Sequence, residues 1–306
     1  MIDKGQDGVL LLPVALTLAI IGSLAYAMTS EGSMNVSDVD AQYDIAVARY
    51  AAASGVAVAA WRAGKSSCDG TKADLGKLEV PDGSVTVTRT KLDKGFLTIS
   101  TSASTNRNAG TVQTLTRRVQ VFDLGIVKQA TMIGAGDDDT TIDRTVSISQ
   151  ANLKTLEATD DTAHPLIAFK LPAELADKGS LVQADFKITK QSANSTQPDR
   201  AIGVHRVTRA WTKDATWTKA GADLWSTPGG DYAQPAVANV TIDPGNGAYN
   251  GAYTLRIDAL VQGWADGSFP NYGLLLKPTR LLNALFVSFD GSTKPELSVR
   301  YFKRCT

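Results

Sequence analysis

The chain has 306 residues, with 31 basic and 31 acidic side chains, so its formal net charge is zero. That balance argues against a general electrostatic attraction to nucleic acid, which needs clustered lysine and arginine, and no nucleic-acid partner is expected. Only two histidines are present, so a metal site built from several histidines is excluded. The length is sufficient for two ordinary domains.

An apolar segment opens the chain. No charged residue occurs from Val9 to Met28, and a helix of this length covers about 30 Å, the thickness of a hydrocarbon core. The segment therefore predicts a transmembrane helix. A permanent membrane anchor is one interpretation of such a helix. A cleaved secretory signal is a further alternative, because Ala25-Tyr26-Ala27 fits the A-x-A cleavage pattern.

The start of the chain resembles a known family. A short charged leader ends at Gly5, the apolar run follows directly, and Ala46–Trp61 reads AVARYAAASGVAVAAW. These residues are similar to minor type IV pilins of the PilX or MshP type. The resemblance implies that a prepilin peptidase cleaves between Gly5 and Gln6 and leaves the apolar helix attached. Major pilins carry a glutamate at the fifth mature position, where this chain has Leu10, so a tip or accessory subunit is implied.

An amphipathic helix and three strands are predicted next. The helical stripe recurs at spacings of three and four residues; it consists of Val36, Val39, Tyr43, Ala46, Tyr50, Ala53, Ala57 and Ala60. Period-two alternation predicts strands at Val85–Thr88, Phe96–Ser100 and Leu115–Phe122. The polar segment Thr101–Gly110 is predicted to be a loop. A helix with about three antiparallel strands indicates a small α+β head, as pilins have.

Many short strands with turn signals are predicted from about residue 130 onward. They are Thr145–Ile148, Leu166–Leu171, Leu181–Ile188, Ala236–Ile242, Tyr253–Ile257, Gly273–Leu276 and Leu297–Tyr301. That spacing predicts a β-sandwich or jelly roll.

The same region resembles the DNRLRE-type extracellular domain over residues 134–302. The matching words are Leu166–Pro172, Val207–Trp211, Ala215–Trp217, Trp225 with Gly229–Tyr232, Leu260–Trp264, Asn271–Leu276 and Pro295–Val299. The resemblance implies surface display and glycan binding, and it does not imply catalysis.

Aromatic and basic side chains of this region are the candidate ligand-binding residues. They are Trp211, Trp217, Trp225, Tyr232, Trp264, Arg206 and Arg209. Aromatic faces can stack on sugar rings, but tryptophans also fill cores. A locally basic stretch that includes Lys187 and Lys190 could meet an acidic polysaccharide or form a solvated strand face.

Three further sets of residues carry expectations. Asp137, Asp138 and Asp139 are a candidate calcium site or a solvated acidic turn. Cys68 and Cys305 either form one disulfide, which an oxidising compartment favours, or remain free thiols. No nucleophile motif or carboxylate pair stands out, so the chain is predicted not to be an enzyme and, calcium apart, to need no cofactor.

Together these features predict an α+β domain followed by an all-β domain. Residues 1–5 would be the leader, 6–125 a pilin-like helix with a membrane part at 9–28 and a small antiparallel sheet, and 134–302 the β-sandwich or jelly roll. The predicted function is a minor pilin-like subunit that displays an adhesive or carbohydrate-binding module. Its partners would be other pilins and a polysaccharide or surface ligand, and it would pass from the inner membrane to an extracellular pilus. A secreted or anchored carbohydrate-binding or structural protein outside any pilus is the alternative.

Overall fold

The computed structural model describes residues 36–107, 110–133, 138–195, 201–242, 251–278 and 282–306. The predicted leader and the predicted membrane segment at residues 9–28 lie outside these ranges. Within them, no helix is both long and apolar enough to cross a membrane.

The chain divides into two compact units. The described part of the first, here called the N-terminal unit, comprises residues 36–59, Thr71–Lys91 and Thr98–Arg118. The second, here called the β-rich unit, comprises Ala60–Gly70, Leu92–Leu97 and the described residues of Val119–Thr306.

A 30-residue helix, α1, runs from Val36 to Lys65. Alanine, the best helix former, is its commonest residue, and Arg62 and Lys65 complement the negative end of the helix dipole in the last turn. The face buried in the N-terminal unit includes Ala48, Ala51, Ala52, Val56 and Ala59.

The predicted helical stripe is therefore wrong about which face is buried. Tyr43 and Tyr50 are 49% and 78% exposed, and Ala46, Ala53 and Ala57 are exposed as well. Both faces of the helix are rich in alanine, so hydrophobic spacing alone could not distinguish them. The small residues of the opposite face allow a closer approach to the sheet than tyrosine would.

Four antiparallel strands form the sheet in the order β1-β2-β3-β4. Their bounds are Gly76–Val80, Gly83–Asp93, Phe96–Thr105 and Val112–Gln120. A Cβ atom at Gly55 of α1 would lie only 3.0 Å from Val85 and 3.1 Å from Val87, so glycine permits close helix–sheet packing. Thr101 Oγ1 donates a hydrogen bond to the carbonyl of Ala52 at 3.0 Å.

The predicted loop at Thr101–Gly110 is wrong in its first half, because β3 continues to Thr105. Thr101, Ala103 and Thr105 alternate inward and are buried. Threonine is β-branched and fits a pleated strand even though it is polar.

Eleven strands of the described chain form the large sheet of the β-rich unit. In chain order they are β5 Lys128–Met132, β6 Asp138–Asp143, β7 Thr155–Thr159, β8 Ala163–Ala168, β9 Ser180–Ser195, β10 Ala201–Arg206, β11 Ala238–Thr241, β12 Ala252–Arg256, β13 Leu274–Pro278, β14 Leu282–Val287 and β15 Glu296–Phe302. The spatial order is β11-β10-β13-β8-β7-β14-β9-β15-β5, with β12 on β9 and β6 on β8. A one-turn helix, α2 (Ala173–Ala176), and a longer one, α3 (Asp258–Asp266), complete the unit.

The 16-residue strand β9 makes the sheet curl. Its first part pairs with β15 through Ser180–Lys187, and its last part pairs with β14 through Lys190–Ser195. Register shifts interrupt both pairings, one beside Phe286 and one beside Tyr301. Bulges of this kind bend and twist a strand, so the sheet folds over on itself like a β-sandwich.

Two apolar clusters form in the β-rich unit because neighbouring residues of a strand point to opposite faces. The large cluster includes Ile167 of β8, Leu274 and Leu276 of β13, Phe186 of β9 and Trp264 of α3. The small cluster consists of Ile142, Leu166, Val207, Ala215, Ala220, Trp225 and Leu275. Strands β8 and β13 thus separate the two clusters.

Cys68 and Cys305 form a disulfide, one of the two alternatives that the sequence leaves open. Both cysteines belong to the β-rich unit. The neighbouring backbone is paired as well, since the amide of Cys305 donates to the carbonyl of Val121 and the amide of Val121 donates to the carbonyl of Gly95, each at 2.9 Å.

The predicted fold class, α+β followed by all-β, is wrong. Across the described residues the protein is mostly β, with 44% strand and 20% helix, one N-terminal helix and a large curled, β-sandwich-like sheet. Although α1 packs on the four-stranded sheet, the described residues do not form the predicted architecture of a separate pilin-like head followed by an all-β domain. The reason is that Ala60–Gly70, Leu92–Leu97 and the chain from Val119 onward join the β-rich unit instead of closing a separate α+β head.

Individual strand predictions also differ from the structure. Thr145–Ile148 is not a strand; the strands of this region are β6 and β7, which lie on either side of it. The carboxylate of Asp143 accepts hydrogen bonds from the amide and the hydroxyl of Thr145, at 2.7 and 2.8 Å. This local pairing makes a turn where alternation alone predicted a strand.

Candidate functional site

An open cleft of about 1180 Å³ lies in the β-rich unit, beside the small cluster. Its polar lining includes three cations, two carboxylates and a histidine, and its aromatic lining includes three rings. These residues are Arg144, Arg209, Lys277, Asp161, Asp231, His164, Trp217, Tyr232 and Tyr272.

Most of one wall comes from a long segment that begins after β10. Its two ends are held together, because Val207 bridges to Tyr232 and the amide of Thr208 donates to the carbonyl of Asp231 at 2.9 Å. Inside the segment, the amide of Gly229 donates to the carbonyl of Trp217 at 2.8 Å. These bonds give a wall without regular strands a fixed shape.

Two indole groups fasten this wall to its surroundings. Trp211 Nε1 donates to the carbonyl of Tyr272 at 2.7 Å, and Trp225 Nε1 donates to the carbonyl of Thr216 at 2.9 Å. Trp225 is also buried in the small cluster. Each indole therefore supplies apolar contact and a satisfied hydrogen bond at once.

Trp217 is half-buried and packs against His164, with 5.1 Å between ring centroids. His164 Nδ1 lies 2.9 Å from the carbonyl of Gly229, which can only accept, so Nδ1 carries the proton. Burial lowers the pKa of His164, which keeps the ring neutral at neutral pH. A Cβ atom on Gly229, where φ is +96°, would lie 2.9 Å from the indole of Trp217, so glycine is needed there.

Asp231 organises the tip of the wall. Its carboxylate accepts hydrogen bonds from Arg209 Nε at 2.6 Å and from the amides of Ser226 and Thr227 at 3.0 and 3.1 Å. Burial alone would raise the pKa of Asp231, but these hydrogen bonds outweigh burial and lower it. Arg209 Nη2 also donates to Ser226 Oγ at 3.0 Å, so Arg209 and Asp231 hold each other in one orientation.

Lys277 connects a second side of the cleft. Its Nζ donates to Asp161 Oδ1 at 3.1 Å and to the Tyr232 hydroxyl at 3.0 Å. Partial burial by itself lowers the pKa of Lys277, but the bonds to Tyr232 and Asp161 outweigh it and raise the pKa. The ammonium group is therefore charged at neutral pH.

The structure brings together three of the seven predicted ligand-binding residues: Trp217, Tyr232 and Arg209 all line the cleft. Trp211 and Trp225 support the wall. Trp264 lies in the large cluster, and the guanidinium of Arg206 lies 4.4 Å from the ring centroid of Phe269. Ligand contact by the three residues in the cleft stays a prediction.

Sequence reasoning missed the remaining side chains of the lining. Asp231 and Tyr272 lie inside the motifs Gly229–Tyr232 and Asn271–Leu276, so these motifs contained a signal for both residues. Arg144, Asp161 and Lys277 had no such signal. They reach the cleft from the turn after β6, from the turn before β8 and from β13.

Of the three aspartates of the candidate calcium site, Asp138 and Asp139 lie within the described residues. Asp137 lies outside the described residues, and Asp138 is exposed. Asp139 is buried and its carboxylate accepts a hydrogen bond from the amide of Phe289 at 2.7 Å; burial raises its pKa to about 6. Across the described ranges, no group of three or more histidine, cysteine or acidic residues could hold a metal ion.

No family model matches the chain, and no curated protein matches it. Among solved structures it is similar to the catalytic domain of Humicola grisea Cel12A in complex with a soaked thio cellotetraose. The identity is 10%, the match covers 75% of this chain and 88% of that chain, and the TM-score is 0.15. At that TM-score the likeness carries no argument about fold or function.

Proposed function

We propose that this protein is a surface-displayed binding protein whose cleft binds a carbohydrate. The observation that carries the proposal is the meeting of the Trp217 ring with two fixed ion pairs, Arg209–Asp231 and Lys277–Asp161, in one open cleft. A sugar presents C–H groups on its ring faces and hydroxyl groups at its edge. An aromatic face with oriented donors and acceptors beside it complements both.

Preorganisation of these polar groups favours binding. Asp231 and Arg209 are each held by at least two hydrogen bonds, so little side-chain freedom is lost when a ligand arrives. The proton of His164 is committed to Gly229, which orients the ring that packs at a tilt against Trp217. A rigid platform of this kind suits recognition of a polymer at a surface.

The charge state of the cleft favours binding over glycoside hydrolysis. A glycosidase needs one carboxyl group with a raised pKa to protonate the leaving oxygen. The pKa of Asp231 is lowered, and Asp161 is paired with Lys277. Asp139, a carboxyl group whose pKa is raised, does not line the cleft.

The way in which the cleft is displayed is a separate part of the proposal. We propose a minor pilin-like subunit, in which the apolar segment at residues 9–28 stays attached after cleavage between Gly5 and Gln6 and docks with other pilins. This part rests on the leader and the apolar segment alone, because the fold class implied by the resemblance is wrong. Mass spectrometry of purified surface filaments would test it: a chain that starts at Gln6 supports the pilin, and a free chain that starts at Met28 contradicts it.

Glycan binding by the full-length protein in detergent tests the cleft. The Trp217→Ala variant should bind about tenfold more weakly, which is typical for loss of a central aromatic contact. Trp61→Ala is the matched control, because Trp61 is 56% exposed and lies outside the cleft. Absence of binding across neutral and acidic glycans, or equal binding by both variants, would contradict the proposal; shortened glycan products would indicate an enzyme instead.

A further inference from the structure

We propose that the ligand of the cleft is an acidic saccharide, whose carboxylate or sulfate group binds Arg144 beside Lys277; this inference rests on the proposed carbohydrate-binding function.

The charges that line the cleft do not balance. Arg144, Arg209 and Lys277 are cations, and Asp161 and Asp231 are the two carboxylates. Two of the cations are matched within the lining, Arg209 by Asp231 and Lys277 by Asp161. One positive charge is left over, and a cleft with an excess charge concentrates ligands of the opposite sign.

The unmatched cation is Arg144. Its side chain is exposed, it lines the cleft, and it forms no ion pair with any residue that the structure describes. Its backbone is fixed, because the Arg144 amide donates to the carbonyl of Thr162 at 2.8 Å. Asp143 holds the same turn through the amide and hydroxyl of Thr145. The guanidinium thus extends from a rigid point next to Asp161.

The chemistry of the group favours an oxyanion. A guanidinium presents paired N–H donors in a plane and matches the two oxygens of a carboxylate or sulfate. Lys277 adds a positive charge on the same side of the cleft. The side chain of its ion-pair partner, Asp161, is 74% exposed. An anionic ligand group could compete for that ammonium, whereas a sugar hydroxyl would gain much less from either cation.

Of the basic stretch that the sequence suggested, Arg209 lines the cleft, where it is paired with Asp231. Lys187 Nζ lies 3.7 Å from Glu296 Oε2, and the guanidinium of Arg206 lies over the ring of Phe269. Neither residue lines the cleft. The proposed attraction to an acidic saccharide therefore depends chiefly on Arg144, after β6, and Lys277 of β13, which the sequence did not single out.

Matched glycan pairs test the inference. The full-length protein in detergent would be applied to an array in which polygalacturonate, hyaluronan and chondroitin sulfate each stand beside their esterified, carboxyl-reduced or desulfated forms. Binding should favour the acidic member at least tenfold and weaken as salt rises. Arg144→Gln should weaken binding to the acidic form about tenfold more than binding to the neutral form. Arg144→Lys should restore only part of the preference, because it keeps the charge but not the paired donors.

Arg300→Gln is the matched control, because Arg300 is exposed on β15 of the same unit and lies outside the cleft. Equal binding of acidic and neutral forms, or an Arg144→Gln variant that behaves like Arg300→Gln, would overturn the inference and leave carbohydrate binding standing. Absence of binding to every member of the array would overturn the proposed function itself.

Discussion

The two apolar clusters of the β-rich unit use tryptophan in different ways. In the large cluster, Trp264 is 6% exposed among strand residues, and its Nε1 has no hydrogen-bond partner within the described structure. At the small cluster, the indoles of its member Trp225 and of Trp211, which packs against it, donate to backbone carbonyls and hold an irregular wall in place. The large cluster therefore contributes chiefly to stability, and the small cluster positions the cleft.

Two carboxylates show the same contrast in charge. Asp139 accepts a hydrogen bond from the amide of Phe289, a large-cluster residue, and burial raises its pKa to about 6. Asp231 is half-buried, and several hydrogen bonds outweigh the effect of burial and lower its pKa. Asp139 is thus a carboxylate at the edge of the large cluster, whereas Asp231 helps to form the lining of the cleft.

The largest effect is expected in the large cluster. Phe186 is fully buried and packs edge-to-face with Phe169, with 6.0 Å between ring centroids. Phe186→Ala should lower the free energy of unfolding by about 4 kcal/mol, because it removes apolar contacts and leaves a cavity. Urea denaturation measures this. Val182→Ala is the control on the same strand, at a residue that is 40% exposed. Similar losses in both variants would contradict the role assigned to the large cluster.

A smaller effect on stability, with a clear effect on binding, is expected at the cleft. Asp231→Asn keeps an acceptor oxygen but removes the charge that Arg209 and two amides bind. We expect a loss of about 2 kcal/mol in unfolding free energy and weaker glycan binding. Tryptophan fluorescence during denaturation measures the first. Asp223→Asn, at an exposed residue of the same wall, should change neither quantity. A stable Asp231→Asn variant with normal binding would show that the wall does not depend on this carboxylate.

The smallest effect concerns pH. The folded-state pKa of Asp139, about 6, lies above its ordinary value of 3.8. Between these values the folded state binds more protons than the unfolded state, so this residue makes stability fall as pH rises through that window. The unfolding free energy of the natural protein, minus that of Asp139→Asn, should be about 1 kcal/mol larger at pH 5 than at pH 7.5. The histidines contribute equally to both proteins and cancel. A constant difference would contradict the raised pKa.

Much of the strand content could be predicted, because alternation is a local signal. The predicted strand at Phe96–Ser100 is confirmed within β3, and the one at Leu181–Ile188 is confirmed within β9. The change of partners along β9 could not be predicted, since it depends on strands that are far away in the sequence. The buried face of α1 was also out of reach, because alanine occurs on both faces.

The candidate site divides along the same line. Trp217 and Arg209 could be proposed from residue type and position within a motif. The Lys277–Asp161 pair joins residues 116 positions apart, and nothing local marks either of them. Arg144 directly precedes Thr145–Ile148, where alternation predicted a strand. In the structure, the carboxylate of Asp143 bonds to Thr145 and makes a turn there instead. The pairing of strands that are distant in the sequence decides which charged side chains meet. Local sequence patterns do not predict that pairing.

The bond between Cys68 and Cys305 closes a covalent loop, since its two ends are 237 positions apart in the chain. Every residue that lines the cleft, from Arg144 to Lys277, lies inside that loop. A protease that cuts one peptide bond there would produce two fragments still joined through sulfur, and reduction would be needed to release them. A molecule that a protease has cut once within this loop would therefore keep both parts of its cleft covalently joined.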